Sequence, residues 1–121
     1  MLDNLLSLVL DRRVLDAVAD SVWDWKQRFS PGDPPEFLAI YESASATIAN
    51  DPTNAPAHFQ RGVICQSKGW HDHALADFVA VVRQQPEHAR AWLLMAEVLS
   101  SLGEPDKARL IRQHALDPSL R

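Results

Sequence analysis

Apolar residues in this chain return every three or four positions, in runs separated by short polar breaks. That spacing predicts helices throughout. Leu10, Val14, Val18, Val22, Trp25 and Phe29 mark one side of a long helix within residues 1 to 29, a span without Gly or Pro, with a break tolerated near Asp11. Trp23 and Trp25 point to opposite sides of it, so one of them belongs in the core. The run Ser30-Pro31-Gly32-Asp33-Pro34 reads as a loop. Beyond it Phe37, Ile40, Tyr41, Ala44 and Ile48 share a face of a helix ending near Asn50, with Asp33 and Glu36 placed for a capping box around Pro34.

Downstream the pattern repeats with a period of 34. Sliding the chain by that amount lays Ala55 on Ala89, Ala57 on Ala91, Ser67 on Ser101, Gly69 on Gly103, Asp72 on Asp106 and Ala74 on Ala108. A fixed interval of this size marks stacked supersecondary units. In the unit from Ala55 to Pro86, Asn54 is suited to cap a helix that tolerates Pro56 in its opening turn. Phe59, Gly62, Val63 and Cys65 or Gln66 give that helix its inward stripe. Gly69 supplies a left-handed residue after it, and Ala74, Phe78, Val81 and Val82 line a second helix that Pro86 stops. The next unit repeats the plan: a helix from Ala89 to about Leu102, a turn at Gly103, then a helix opened by Pro105 with Ala108, Ile111 and Ala115 inward, ending near Asp117. Upstream the period fades to Ala46 on Ala80 and Pro52 on Pro86. The expectation is six or seven helices and no strand.

These positions resemble the tetratricopeptide repeat, a helix-turn-helix unit of the same length. Gly62, Gly69, Ala74, Phe78 and Pro86 match in residues 55–88, with His58 where an aromatic is usual and Arg61 where leucine is. Trp92, Ala96, Leu99, Gly103, Ala108 and Ala115 match in residues 89–118, where Arg112 replaces the second-helix aromatic and Pro118 arrives two residues early. The resemblance implies an all-α, right-handed superhelical stack of antiparallel helical hairpins in a single domain, 1–121. Residues 1–30 would be an N-terminal helical cap or dimerisation segment, covering the end of the stack opposite the C-terminal helix. Residues 36–52 would be a degenerate repeat helix. The 55–88 and 89–118 units would follow, the last ending in a capping helix with Lys107, Arg109, Arg112 and Gln113 toward water.

The same resemblance implies a non-enzymatic interaction module, an adaptor or co-chaperone, in which the first helix of each unit lines a concave groove for a peptide or amphipathic helix of a partner protein. Carried over residue by residue, the groove takes Phe59, Gln60, Val63, Gln66 and Ser67 from one unit and Arg90, Leu93, Leu94, Glu97 and Ser101 from the next. The places at which chaperone-binding members clamp a carboxylate hold Phe59, Val63 and Leu94, so that clamp is absent here. Stripes of this kind serve a core as readily as a ligand.

Composition narrows the partners. With 121 residues, 46% hydrophobic and 23% charged, the chain is one globular domain's worth. Twelve Lys and Arg against sixteen Asp and Glu give a net charge of −4, and Arg12-Arg13 is the one adjacent basic pair, so no stripe exists to neutralise nucleic-acid phosphates. The lone Cys65 forms no intrachain disulfide; the start MLDNLL lacks a cationic signal region, and no apolar run approaches bilayer length. A cytoplasmic protein without membrane insertion is expected.

Candidate chemistry is sparse. His71-Asp72-His73 is the nearest thing to a metal motif, but on a helix the two imidazoles point about 200° apart, and solvated turn residues are the expected reading. His58 and Cys65 lie two helical turns apart, about 10 Å, too far for thiolate activation. Without a Gly-rich phosphate loop or a nucleophile elbow, the expectation is no catalytic residue, cofactor or metal. A structural alternative is a homodimer through Leu2, Leu5, Leu6, Val9 and Leu10, with no peptide groove in use.

Overall fold

The computed structural model of the chain describes residues 2–10, 12, 14, 15 and 28–116. Among these are six α-helices and no strand: α1 (Leu2–Val9), α2 (Pro35–Asn50), α3 (Ala55–Ser67), α4 (His71–Gln84), α5 (Ala89–Ser101) and α6 (Pro105–Leu116). The fold is all-α. From α2 onward each helix packs on the next in sequence, and α1 touches α6.

The 34-residue period is written into the backbone hydrogen bonds. At the C-terminus of α3, Trp70 N donates to Cys65 O (2.8 Å) and Gly69 N to Gln66 O (3.1 Å); at that of α5, Glu104 N donates to Leu99 O (3.0 Å) and Gly103 N to Ser100 O (3.1 Å). These are paired Schellman turns, and both require a residue of positive φ, which Gly69 and Gly103 supply at 78° each. Helix starts correspond too. Asn54 Oδ1 accepts from Ala57 N at 2.9 Å, and thirty-four residues later His88 Nδ1 accepts from Ala91 N at 3.1 Å. The correspondence extends upstream to the end of α2, where Asp51 N donates to Thr47 O at 2.8 Å as Gln85 N does to Val81 O. Here α2 stands in the place that α4 holds one period later, a likeness that side-chain identity alone scarcely records.

The core runs through the inward stripes of α3 to α6. Leu75, Phe78, Val81, Val82, Trp92, Met95, Leu99 and Ile111 are all fully buried, joined by Leu6, Val9 and Val14 from the N-terminal segment. Each large side chain so buried contributes roughly 1.5–3 kcal/mol. Between α3 and α4 the backbones approach so closely that a Cβ on Gly62 would sit 2.7 Å from Phe78 Cε1 and 3.2 Å from Asp77 Cβ. One period on, Ala96 replaces Gly62 while Arg112, exposed to solvent, replaces Phe78. The methyl group enters where the ring has left.

Several expectations are corrected. The break tolerated near Asp11 falls slightly earlier: α1 ends at Val9 with a bend at Leu10, and Arg12, Val14 and Leu15 are again helical, while Val18, Val22, Trp23 and Trp25 lie outside the described residues. Within the N-terminal segment, α1 lies against the last helix. Asp33 and Glu36 form no capping box, because Pro34 takes the N-cap position and no side chain caps α2. Asp33 turns back instead, accepting from Ser30 N at 2.8 Å and pairing with Lys68. Ile40 faces solvent, leaving Tyr41 and Ala44 as the buried residues of α2. On α6, Arg109, Arg112 and Gln113 are exposed, whereas Lys107 is half-buried on Glu104 at 2.9 Å.

Candidate functional site

The ten residues carried over for a groove lie on α3 and α5, and none of them is fully buried. Gln60, Ser67, Arg90, Glu97 and Ser101 are exposed; Phe59, Val63, Gln66, Leu93 and Leu94 are half-buried. Two contacts join the helices at a constant offset of 31 residues. The Arg90 guanidinium lies over the Phe59 ring at 5.8 Å from its centroid, and Gln66 Nε2 donates to Glu97 Oε2 at 3.1 Å. Both pairs are seven residues apart along their own helices, which keeps them on one side. The face is therefore a two-helix surface with a guanidinium at one end, a carboxylate at the other, and Val63, Leu93 and Leu94 contributed from the helices between.

Phe59 anchors the guanidinium end. Its ring packs 6.0 Å from that of Phe78 and 5.0 Å from the His88 imidazole, so it is held from below by the core and from the side by the α4–α5 turn. Beside it opens a cavity of about 260 Å³ lined by Ala55, Pro56, Phe59, Gln60, Gln85 and His88. Phe59, Val63, Leu93 and Leu94 also pack against the core, the first of the two roles that their stripe allowed.

Between α3 and α4 lies a buried polar network with no counterpart in the sequence reading. Asp77, only 3% exposed, receives a two-pronged hydrogen bond from Arg61, Nε to Oδ2 at 2.9 Å and Nη2 to Oδ1 at 2.8 Å. His58 Nδ1 is 2.9 Å from the same carboxylate, and Nε2 donates to Pro52 O at 2.8 Å. Burial works against the Arg61 charge, yet the Asp77 hydrogen bonds and charge outweigh it and raise its pKa. A buried acid must be paired or it would neutralise. The signal that could have revealed it is Asp77 itself, set among Leu75, Phe78 and Val81 on an otherwise apolar stripe. What the network does is clamp α3 to α4.

A second polar and aromatic cluster fastens the 28–35 loop. Phe29, Tyr41 and Trp70 meet edge to face with centroids 5.2–5.8 Å apart, and Lys68, ion-paired with Asp33, lies over Phe29 and Trp70 at 5.5 and 5.6 Å. A cavity of about 250 Å³ adjoins it, lined by Phe29, Ser30, Pro31, Asp33, Pro34, Pro35 and Leu38. Lys68 and the Ser30 amide hold the Asp33 carboxyl below its usual range.

The remaining candidates are placed without being assembled. His71 and His73 are half-buried at the start of α4; burial lowers the pKa of His73, and among the described residues no three His, Cys, Asp or Glu side chains gather as metal ligands. Cys65 is buried, and that burial, with the Asp77 charge, raises its thiol well above the usual range. The His58 ring nitrogens are engaged with Pro52 and Asp77. In the N-terminal stripe Leu6 and Val9 are buried within the chain and Leu5 and Leu10 half-buried, while Leu8 is 44% exposed; the side chain of Leu2 lies outside the described residues. The face proposed for a dimer is thus largely occupied by the chain's own packing. Among the described residues no helix is long and apolar enough to cross a membrane. No protein-family model matches the chain, and no curated protein matches it.

Proposed function

We propose that this chain is a non-enzymatic interaction module of the cytoplasm, a tetratricopeptide-like right-handed stack that holds a peptide or amphipathic helix of a partner protein across α3 and α5. The observation that carries this reading is the side-by-side placement of those helices, pinned at both ends by Phe59 with Arg90 and by Gln66 with Glu97. A surface fixed beforehand by core packing loses little ordering entropy when a ligand arrives. Half-buried Phe59, Leu93 and Leu94 offer apolar contact, and exposed Gln60, Ser67 and Ser101 border it with hydrogen-bonding groups.

The test uses exposed border positions, which leave the core untouched. Peptides selected by display against the purified protein would be titrated by fluorescence anisotropy against wild type, Gln60→Arg and Ser101→Arg. Both variants are expected to weaken binding by about ten-fold or more, roughly 1.4 kcal/mol, with unchanged helicity. Selection that enriches no peptide, or peptides indifferent to both substitutions, would overturn the reading.

A further inference from the structure

We infer that the α3–α5 face is registered by charge for a helical partner carrying one acidic and one basic residue seven positions apart, with apolar residues between them. The inference rests on the proposed binding role of that face and adds the chemistry of its occupant. Among the ten residues of the face the charged ones are Arg90 and Glu97, both exposed and both on α5. Seven residues of helix advance about 10 Å and return to nearly the same side. A second helix laid alongside presents its own seven-residue pairs at the same spacing and on one side, which an extended strand of about 3.3 Å per residue does not. The two charges are held in place: the guanidinium rests over Phe59, and the carboxylate accepts from Gln66. One Glu97 oxygen takes that bond, leaving the other for a partner's cation. Glu87, in the turn before α5, is exposed and already engaged in an interaction of its own. Between the charges, Val63, Leu93 and Leu94 meet apolar residues of the incoming helix one turn in from each end.

The probes are synthetic alanine-rich helical peptides with two central leucines and, seven residues apart, either Glu and Lys, Lys and Lys, or Gln and Gln. On the wild-type protein at low salt the Glu/Lys peptide is expected to bind about five-fold more tightly than Lys/Lys, a modest factor because both pairs are exposed, and the difference should fade as salt rises. Arg90→Glu makes both ends of the face acidic, and the order is expected to invert in favour of Lys/Lys. Equal binding of all three peptides, or an unchanged order on Arg90→Glu, overturns the charge register. If those equally bound peptides still lose affinity on Ser101→Arg, the binding face itself stands. Preference for a proline-rich extended peptide over all three overturns the helical occupant. A dimer seen by light scattering in wild type and lost in Ser101→Arg would replace the partner with a second copy. Failure of every probe to bind removes the inference together with the reading beneath it.

Discussion

His58 and Trp92 stand one period apart and make the same bond. Each sends a ring N–H to the carbonyl oxygen six residues earlier, His58 to Pro52 and Trp92 to Pro86, both at 2.8 Å. The hydrogen bond is retained while the ring around it changes. Trp92 continues as a core residue against His114 at 4.4 Å, and His58 continues as a polar one against Asp77.

Replacing Trp92 by Phe removes the bond and part of the ring, and a loss of about 1–2 kcal/mol is expected from the hydrogen bond and the small void together. His58→Phe should cost at least as much, because a buried carboxylate oxygen also loses a partner. Urea unfolding of both variants measures the difference; a neutral Trp92→Phe would show that the Pro86 bond adds nothing.

Gly62→Ala meets Phe78 in a fully buried position. Overpacking of this kind costs typically about 1–3 kcal/mol, against about 1 kcal/mol gained in helix propensity. A net loss of stability is expected, and Phe78→Leu in the same chain should recover much of it. Thermal unfolding of the single and double variants decides, and a stabilised single variant would show that the Phe78 ring yields freely.

The Asp33 and Lys68 pair gives the loop a dependence on acid. Lys68 first, then the Ser30 amide, place the folded pKa of Asp33 below its ordinary value of 3.8. The pair's stabilisation is therefore complete above about pH 4 and is lost as the pH falls through the lower folded value. Asp33→Asn should lower the unfolding midpoint at neutral pH and flatten its decline below pH 4. If the variant declines as steeply as wild type, that acid sensitivity belongs to other carboxylates.

Cys65 should be inert. Its thiol is buried and its pKa is raised by that burial, so at pH 8 reaction with an aromatic disulfide reagent is expected only when α3 and α4 part. Labelling in the folded state should run orders of magnitude slower than in urea, and immediate labelling would place the thiol at the surface.

How much of this was legible follows from what each feature depends on. Asn54, Gly69 and Gly103 act locally: a side chain reaching three residues ahead, or a backbone angle that favours glycine, shows in a single window of sequence. His88 acts locally as well, but an imbalance of expectation hid it, since imidazole is not among the usual capping groups; the period from Asn54 would have pointed to it. Asp33 misled because a proline occupied the cap site that its carboxyl would have served. The union of His58, Arg61 and Asp77 spans residues 16 to 19 apart across a hairpin, and finding it needs the phase of two helices at once. The α3–α5 face follows from the resemblance, whereas the pairing of Arg90 with Phe59 and of Glu97 with Gln66 joins residues 31 apart and depends on the phase of two helices.

A row of helices whose contacts are confined to the same or the adjacent repeat ordinarily frays from either extremity without consequence for the other. The meeting of α1 with α6 works as a clasp between regions far apart in the sequence. Leu6→Ser, which loosens α1 where Leu6 is 1% exposed, should therefore hasten amide hydrogen exchange in α6, so that damage near one extremity is felt at the other.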